Sequence, residues 1–128
     1  MALIVLDASV VIAHLDSADA LHTAATEALL EVADDDLRLP ASAYAEALVD
    51  PTTKGQLARA RDRIGALGLG IVPLDTAIAE RAASLRAHHR TLRLPDALVL
   101  ATAEELEADA VLTGDRRWRR LPRVRVIT

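Results

Sequence analysis

Cysteine is absent from this 128-residue sequence, and aromatic residues and lysine are nearly absent. Without cysteine there can be no disulfide bridge, no thiolate metal ligand and no cysteine nucleophile. With one Tyr, one Trp and no Phe, a core must be aliphatic, and the hydrophobic fraction of 52% supplies the residues for it. A chain of this length suits one domain, so we expect a single domain over residues 1–128.

Long hydrophobic runs are also missing. No stretch reaches the ~18 apolar residues that a membrane helix needs. The apolar segment before Asp7 has neither a basic flank nor a clear secretory cleavage signal. The expectation is therefore a soluble cytoplasmic protein that makes no contact with a membrane.

Acidic residues outnumber basic ones, and the arginines gather near the C-terminal end. The net charge is −4, which argues against a generally basic nucleic-acid binder, and Lys54 is the only lysine. The late arginines are Arg116, Arg117, Arg119, Arg120, Arg123 and Arg125. Because arginine suits bidentate phosphate contacts, the first four are candidates for binding a nucleic-acid backbone. An arginine-rich solvated surface accounts for them equally well.

Short apolar runs alternate with segments of helical spacing along the whole chain. The runs span residues 2–6, 37–39, 70–72, 110–113 and 124–127, and they are typical of strands buried on both faces. The segments between them carry amphipathic stripes, such as Leu57, Ala60, Ile64 and Leu67. This alternation predicts an α/β domain with a mainly parallel sheet covered by helices.

Four acidic residues are candidates for a site at the carboxyl ends of the strands, where such folds bind ligands. Asp7 and Asp115 follow predicted strands, Glu46 lies on a helix of small and apolar residues, and Asp96 follows Pro95 at a helix start. Each also has a structural explanation, as a helix cap, a turn residue or an exposed helical side chain. The joint pattern favours function more than any one member does.

Carboxylates suit a hard divalent cation such as Mg²⁺, which takes oxygen ligands. The four histidines show no i, i+4 ligand pair and cysteine is absent, so a zinc site is not expected. Carboxylates crowded together without a metal repel one another, which predicts a raised pKa for at least one of them. On this basis Asp115→Asn is expected to be neutral or stabilising when no metal is bound.

The segments LIVLDAS, AEAL, LPDALVLATA and VLTGD follow one another over nearly the whole chain. In order and spacing they resemble the PIN-domain family, and more narrowly the VapC toxins of type II (VapBC) toxin–antitoxin systems. The resemblance implies a three-layer α/β/α sandwich with strand order 3-2-1-4-5. It places the family's acids on Asp7, Glu46, Asp96 and Asp115. The supporting hydroxyls fall on Ser9 and Thr113.

The resemblance also implies an activity. It indicates a Mg²⁺- or Mn²⁺-dependent endoribonuclease, with the metal held by the four acids and products carrying 5′-phosphate and 3′-hydroxyl ends. The implied partners are an RNA substrate, a cognate antitoxin and a second copy of the chain. Trp118, among the arginines, is either a base-stacking residue or a core anchor.

Two other readings stay open at this stage. One is a non-catalytic PIN-like module that binds RNA or protein, although such modules tend to lose acids that are all present here. The other is a Mg²⁺-dependent phosphoryl-transfer domain of the receiver kind, which needs a late lysine that this sequence lacks. The segment 50–65 matches no pattern that assigns it a role.

Overall fold

A computed structural model describes all residues from Met1 to Thr128. The strands are β1 (Leu3–Leu6), β2 (Asp36–Pro40), β3 (Gly70–Val72), β4 (Ala110–Thr113) and β5 (Val124–Val126). The helices are α1 (Ala8–Leu15), α2 (His22–Glu31), α3 (Ala41–Thr53), α4 (Leu57–Gly65), α5 (Thr76–His88) and α6 (Leu94–Glu105). A short 3₁₀ turn, Arg116–Trp118, follows β4. None of the helices is long and apolar enough to cross a membrane.

The five strands form one sheet in the order β3-β2-β1-β4-β5. All four pairings are parallel, and β1 in the centre is in register with β4 from Ile4 opposite Ala110 to Leu6 opposite Leu112. The predicted parallel sheet and its strand order are therefore confirmed. Receiver domains use the order 2-1-3-4-5 instead, so the receiver-like alternative is wrong at the level of the fold.

The direction of the connections places helices on both faces of the sheet. The chain moves from β1 through β2 to β3 towards one edge, and then returns past β1 to β4. Because crossovers between parallel strands are right-handed, connections that run in opposite directions lie on opposite faces. The result is the predicted α/β/α sandwich.

The core is aliphatic, as the composition requires. Ile4, Val5 and Leu6 of β1 are fully buried and join one cluster with β4 and the inner faces of the helices. Trp118 is the one large aromatic member of that cluster, with 2% of its surface exposed. Strands buried on both faces explain why their sequences read as continuous apolar runs.

The same topology gathers helix and strand ends at one edge. β1 and β4 lie side by side, so the residues that follow them are neighbours at their carboxyl ends. α3 begins at Ala41, directly after β2. α6 runs back towards the start of β4, and its first turn therefore lies at the carboxyl edge too. Segments bearing all four candidate acids meet there.

Candidate active site

Asp7 is the most enclosed acid of the site, with 8% of its surface exposed. It holds the N-cap position of α1, but its side chain makes no capping hydrogen bond. The Oδ2 atom instead accepts hydrogen bonds from Ser9 Oγ at 2.6 Å and from Thr113 Oγ1 at 2.9 Å. A cap role therefore does not account for the Asp7 carboxylate.

The hydroxyls of Ser9 and Thr113 are each held by a second hydrogen bond, from a backbone N–H. Ser9 Oγ accepts the backbone N–H of Gly114 at 2.9 Å, and Thr113 Oγ1 accepts the N–H of Asp115 at 3.0 Å. These bonds tie the start of α1 to the segment after β4. A Cβ at Gly114 would approach Leu21 Cδ1 to 2.8 Å and Ser9 Oγ to 3.4 Å, which explains the glycine at this close approach.

The pKa of Asp96 is raised by burial and by repulsion from two other acids. Asp96 is half-buried in the first turn of α6. Burial raises its pKa, and repulsion from Asp7 and Asp115 adds to that rise, while Arg117 and the backbone amide of Arg93 oppose it. The predicted raised pKa among crowded carboxylates is present at this residue.

Glu46 lies on α3 at the exposed rim of the site. Partial desolvation raises its pKa, and repulsion from Asp7 and Asp96 raises it further, against an opposing effect of Arg93. Glu46 therefore belongs to the same electrostatic cluster as the two aspartates. Arg93 was not among the predicted site residues, because its only signal in the sequence is its position just before the LPD segment.

Asp115 behaves differently from the other acids. Its Oδ1 atom accepts the backbone N–H of Arg117 at 2.9 Å, which caps the 3₁₀ turn. Its carboxylate also pairs with the Arg117 guanidinium, and these contacts lower its pKa. These contacts favour the charged form of Asp115, so they argue against the expectation that Asp115→Asn is neutral or stabilising without metal.

No three His, Asp or Glu side chains, as they stand, are grouped so that they could hold one metal ion. The donor chemistry nevertheless fits a hard cation, since all the clustered side chains are carboxylates. The Asp7 Oδ1 atom accepts no hydrogen bond, and no buried side-chain oxygen lacks a partner, so solvent reaches that atom. A cation held by three of these carboxylates would therefore require side chains to move, and Asp115 would have to leave its contact with Arg117.

The late arginines and Trp118 differ in their exposure to solvent. Arg116, Arg117, Arg119 and Arg120 are exposed beside Asp115, whereas Trp118 is buried in the core. Of the two roles considered for Trp118, core anchor is confirmed and base stacking is wrong, because its ring is not accessible.

A groove of about 710 Å³ opens beside Glu46, between α1, α3 and α4. Its walls include the apolar residues Ile12, Leu15 and Ala60 and both acidic and basic side chains. Much of one wall comes from the segment 50–65, to which the sequence assigned no role. Arg63 in that segment donates a hydrogen bond to the carbonyl of Leu15 at 2.8 Å and so fixes α4 against the end of α1.

Comparison with known proteins gives matches at the levels of family and fold. The sequence matches the family model of the PIN domain over residues 4–124. A search of curated proteins gave no match. The structure is similar to a toxin–antitoxin complex from Klebsiella pneumoniae, with a TM-score of 0.78, 27% identity and 95% of each chain covered.

Two further solved structures share the fold at lower identity. One is VapBC2 from Rickettsia felis bound to a DNA fragment from its promoter, with a TM-score of 0.78, 12% identity, and 98% of this chain and 99% of that chain covered. The other is VapC20 from Mycobacterium tuberculosis, a toxin that cleaves the sarcin–ricin loop, with a TM-score of 0.78, 14% identity and the same coverage.

Proposed function

The chain belongs to the PIN-domain family, and from that membership and the acidic site we propose that it is a metal-dependent endoribonuclease. The observation that carries the proposal is the Asp7 carboxylate. It is buried, it is not used as a helix cap, and two hydroxyls from separate segments hold it beside two further acids. A fold does not need such a group for stability, since burying a carboxylate among like charges is unfavourable.

The site residues that would hold Mg²⁺ or Mn²⁺ are Asp7, Glu46, Asp96 and Asp115. When bound, the cation supplies a water of lowered pKa and neutralises charge that develops on the phosphate. The chain's own task is to orient the carboxylates. Ser9 and Thr113 do this for Asp7, because both donate to Oδ2 and leave Oδ1 open.

The acids Glu46 and Asp96 have a second role in the proposed reaction. Their raised pKa values bring them closer to the range in which a carboxylate accepts a proton from an attacking water. The reaction hydrolyses one phosphodiester bond and leaves a 5′-phosphate and a 3′-hydroxyl. The exposed arginines after β4 would contact the RNA backbone beside that bond.

We extend the proposal to a role as the toxin of a toxin–antitoxin pair. Similar folds occur in a toxin–antitoxin complex and in VapBC2 bound to promoter DNA. The groove beside Glu46 supports an antitoxin partner, because it combines apolar walls with charged side chains of both signs and includes one of the site acids, Glu46. A homodimer is part of the same proposal.

The experiment that tests the activity uses purified chain and mixed cellular RNA. We expect cleavage with Mg²⁺ or Mn²⁺, no cleavage with excess chelator, and recovery when the metal is restored. Sequencing of the product ends should give 5′-phosphates. Binding of RNA without cleavage under every metal condition would favour the non-catalytic PIN-like module instead.

A further inference from the structure

The Arg117 guanidinium covers the carboxylate of Asp115. Its Nη2 atom lies 2.6 Å from Oδ2, and its Nε atom lies 3.0 Å from Oδ1 and 3.1 Å from Oδ2. Both oxygens of Asp115 are therefore engaged by one cation from within the chain. A divalent cation at the site would need the same lone pairs, so the guanidinium and the metal compete for them.

This contact goes beyond the capping of the 3₁₀ turn. The cap needs only the backbone N–H of Arg117, which donates to Oδ1 at 2.9 Å. Arg116, one position earlier and also exposed, makes no ion pair with any acid. The pairing is thus specific to Arg117 and is not a general property of the arginine-rich segment.

The pair is placed so that it can open. The Arg117 side chain is 71% exposed, while that of Asp115 is 20% exposed. Ion pairs with an exposed partner contribute little free energy, because water and salt replace them readily. Asp96 also helps to raise the pKa of Arg117, so the guanidinium lies within electrostatic reach of a second site acid.

We propose that Arg117 is an internal counter-ion of Asp115 that a divalent cation displaces, and that the released guanidinium then binds an RNA phosphate. Metal binding and RNA binding are coupled by this exchange of partners. Without metal, Arg117 neutralises Asp115. With metal, the cation takes that role and Arg117 becomes available to the substrate. The inference rests on the proposed function, since it assumes a metal site that includes Asp115.

The test measures metal binding without RNA, by calorimetric titration of Mn²⁺ into wild type, Arg117→Gln, Arg117→Lys and Arg116→Gln. We expect Arg117→Gln to bind Mn²⁺ about two- to fivefold more tightly, which corresponds to the strength of an exposed ion pair. Arg117→Lys, which keeps the charge but not the two-oxygen contact, should fall between. Arg116→Gln is the matched control and should bind as wild type does.

Equal Mn²⁺ affinity of wild type and Arg117→Gln would overturn the inference while leaving the proposed function intact. An equal gain in Arg116→Gln would also overturn it, because the effect would then be general electrostatics. If neither wild type nor Arg117→Gln binds Mn²⁺, the proposed metal site fails and the inference fails with it. Binding by Arg117→Gln alone would support the inference most strongly.

A second measurement tests the coupling to RNA. It follows the salt dependence of binding to a short single-stranded RNA, in chelator and in Ca²⁺, with RNA integrity checked on a gel. In Ca²⁺ the log–log slope of Arg117→Gln should be shallower than that of wild type by ~0.7, the value for one lost phosphate contact. In chelator the two slopes should agree, because Arg117 is then held by Asp115. The same slope difference in both conditions would contradict the exchange.

Discussion

Thr113 contributes a single hydroxyl to the site, and that hydroxyl makes two hydrogen bonds. It donates to Asp7 Oδ2 and accepts the N–H of Asp115, while no part of Thr113 is exposed. Ser9 makes the equivalent pair of bonds to Asp7 and Gly114. The orientation of one buried carboxylate thus depends on two small polar side chains from opposite ends of the sequence.

Thr113→Val tests this dependence with little change in volume. We expect a loss of ~1.5–3 kcal/mol in the free energy of unfolding, because a hydrogen bond to a charged group is removed from a buried site. RNA cleavage should fall as well, since Asp7 is no longer held. The matched control is Thr102→Val, whose buried hydroxyl bonds only to the Leu98 carbonyl within α6. Equal cleavage by the two variants would contradict the role given to Thr113.

The raised pKa of Glu46 predicts a pH dependence of stability in chelator. Well below the ordinary value of 4.5 the group is protonated in both the folded and unfolded states, so its contribution is fully present. As the pH rises through the raised pKa, the folded state must accept a charge that burial and repulsion disfavour, and stability is lost. Relative to Glu46→Gln, wild type should therefore become less stable as the pH rises above 4.5.

Denaturant unfolding across that pH range is the measurement. Glu27→Gln, on the exposed face of α2, controls for the loss of one carboxylate elsewhere. If the stability difference between wild type and Glu46→Gln does not change with pH, Glu46 is not part of the acidic cluster.

The directions of single side chains could not be predicted from the sequence. The positions of the four acids followed from motif and spacing, but the direction of each carboxylate did not. Asp115 is turned towards Arg117, and Trp118 points into the core although four exposed arginines surround it in sequence. Such choices depend on which neighbours the fold supplies, and residue type alone does not encode them.

At the scale of elements, two helices that follow strands have an aspartate at the N-cap position, but only one of these aspartates caps its helix through its side chain. Asp75 accepts the N–H of Ile78 at 2.8 Å and caps α5. Asp7 occupies the same position before α1 and makes no cap bond. The difference arises because β1 lies beside β4, whose Thr113 offers Asp7 a partner, while β3 lies at the edge of the sheet.

Asp75→Ala should therefore affect stability alone. Loss of an N-cap side chain costs ~1 kcal/mol, and that decrease should appear in denaturant unfolding. Metal-dependent RNA cleavage at a temperature where the variant is folded should equal that of wild type. A large loss of cleavage by folded Asp75→Ala would mean that the active site extends to the start of α5.

The positions of the strands could be predicted from the sequence. Residues 70–72 and 110–113 were predicted with their exact ends, because apolar runs bounded by glycine, proline or acidic residues leave little freedom. The bounds of β2 were predicted less well, since the apolar run 37–39 leaves out Asp36 and Pro40, the first and last residues of that strand. The Asp36 carboxylate pairs with Arg38 at 2.7 Å, two residues along the same strand.

At the scale of the whole molecule, the strand order could not be derived from periodicity. Alternating strands and helices predict a parallel sheet, but many orders are compatible with it, and 3-2-1-4-5 came from the resemblance to the PIN-domain family. That order decides the chemistry, because it brings Asp7 beside Thr113 across 106 residues of sequence. The role of segment 50–65 as a groove wall also emerged only from the three-dimensional structure.

The central claim is that the clustered acids perform RNA cleavage, and the most direct test compares Asp96→Asn with Asp34→Asn. The pKa of Asp96 is raised in part by repulsion from both Asp7 and Asp115. Asp34, in contrast, is exposed in a turn, and its side chain makes no hydrogen bond or ion pair. Cleavage of mixed RNA in Mn²⁺ is measured for both folded variants and for wild type. We predict that Asp96→Asn loses cleavage by at least about a hundredfold, the scale of a general acid–base contribution, while Asp34→Asn cleaves as wild type does. Wild-type cleavage by folded Asp96→Asn would contradict the account.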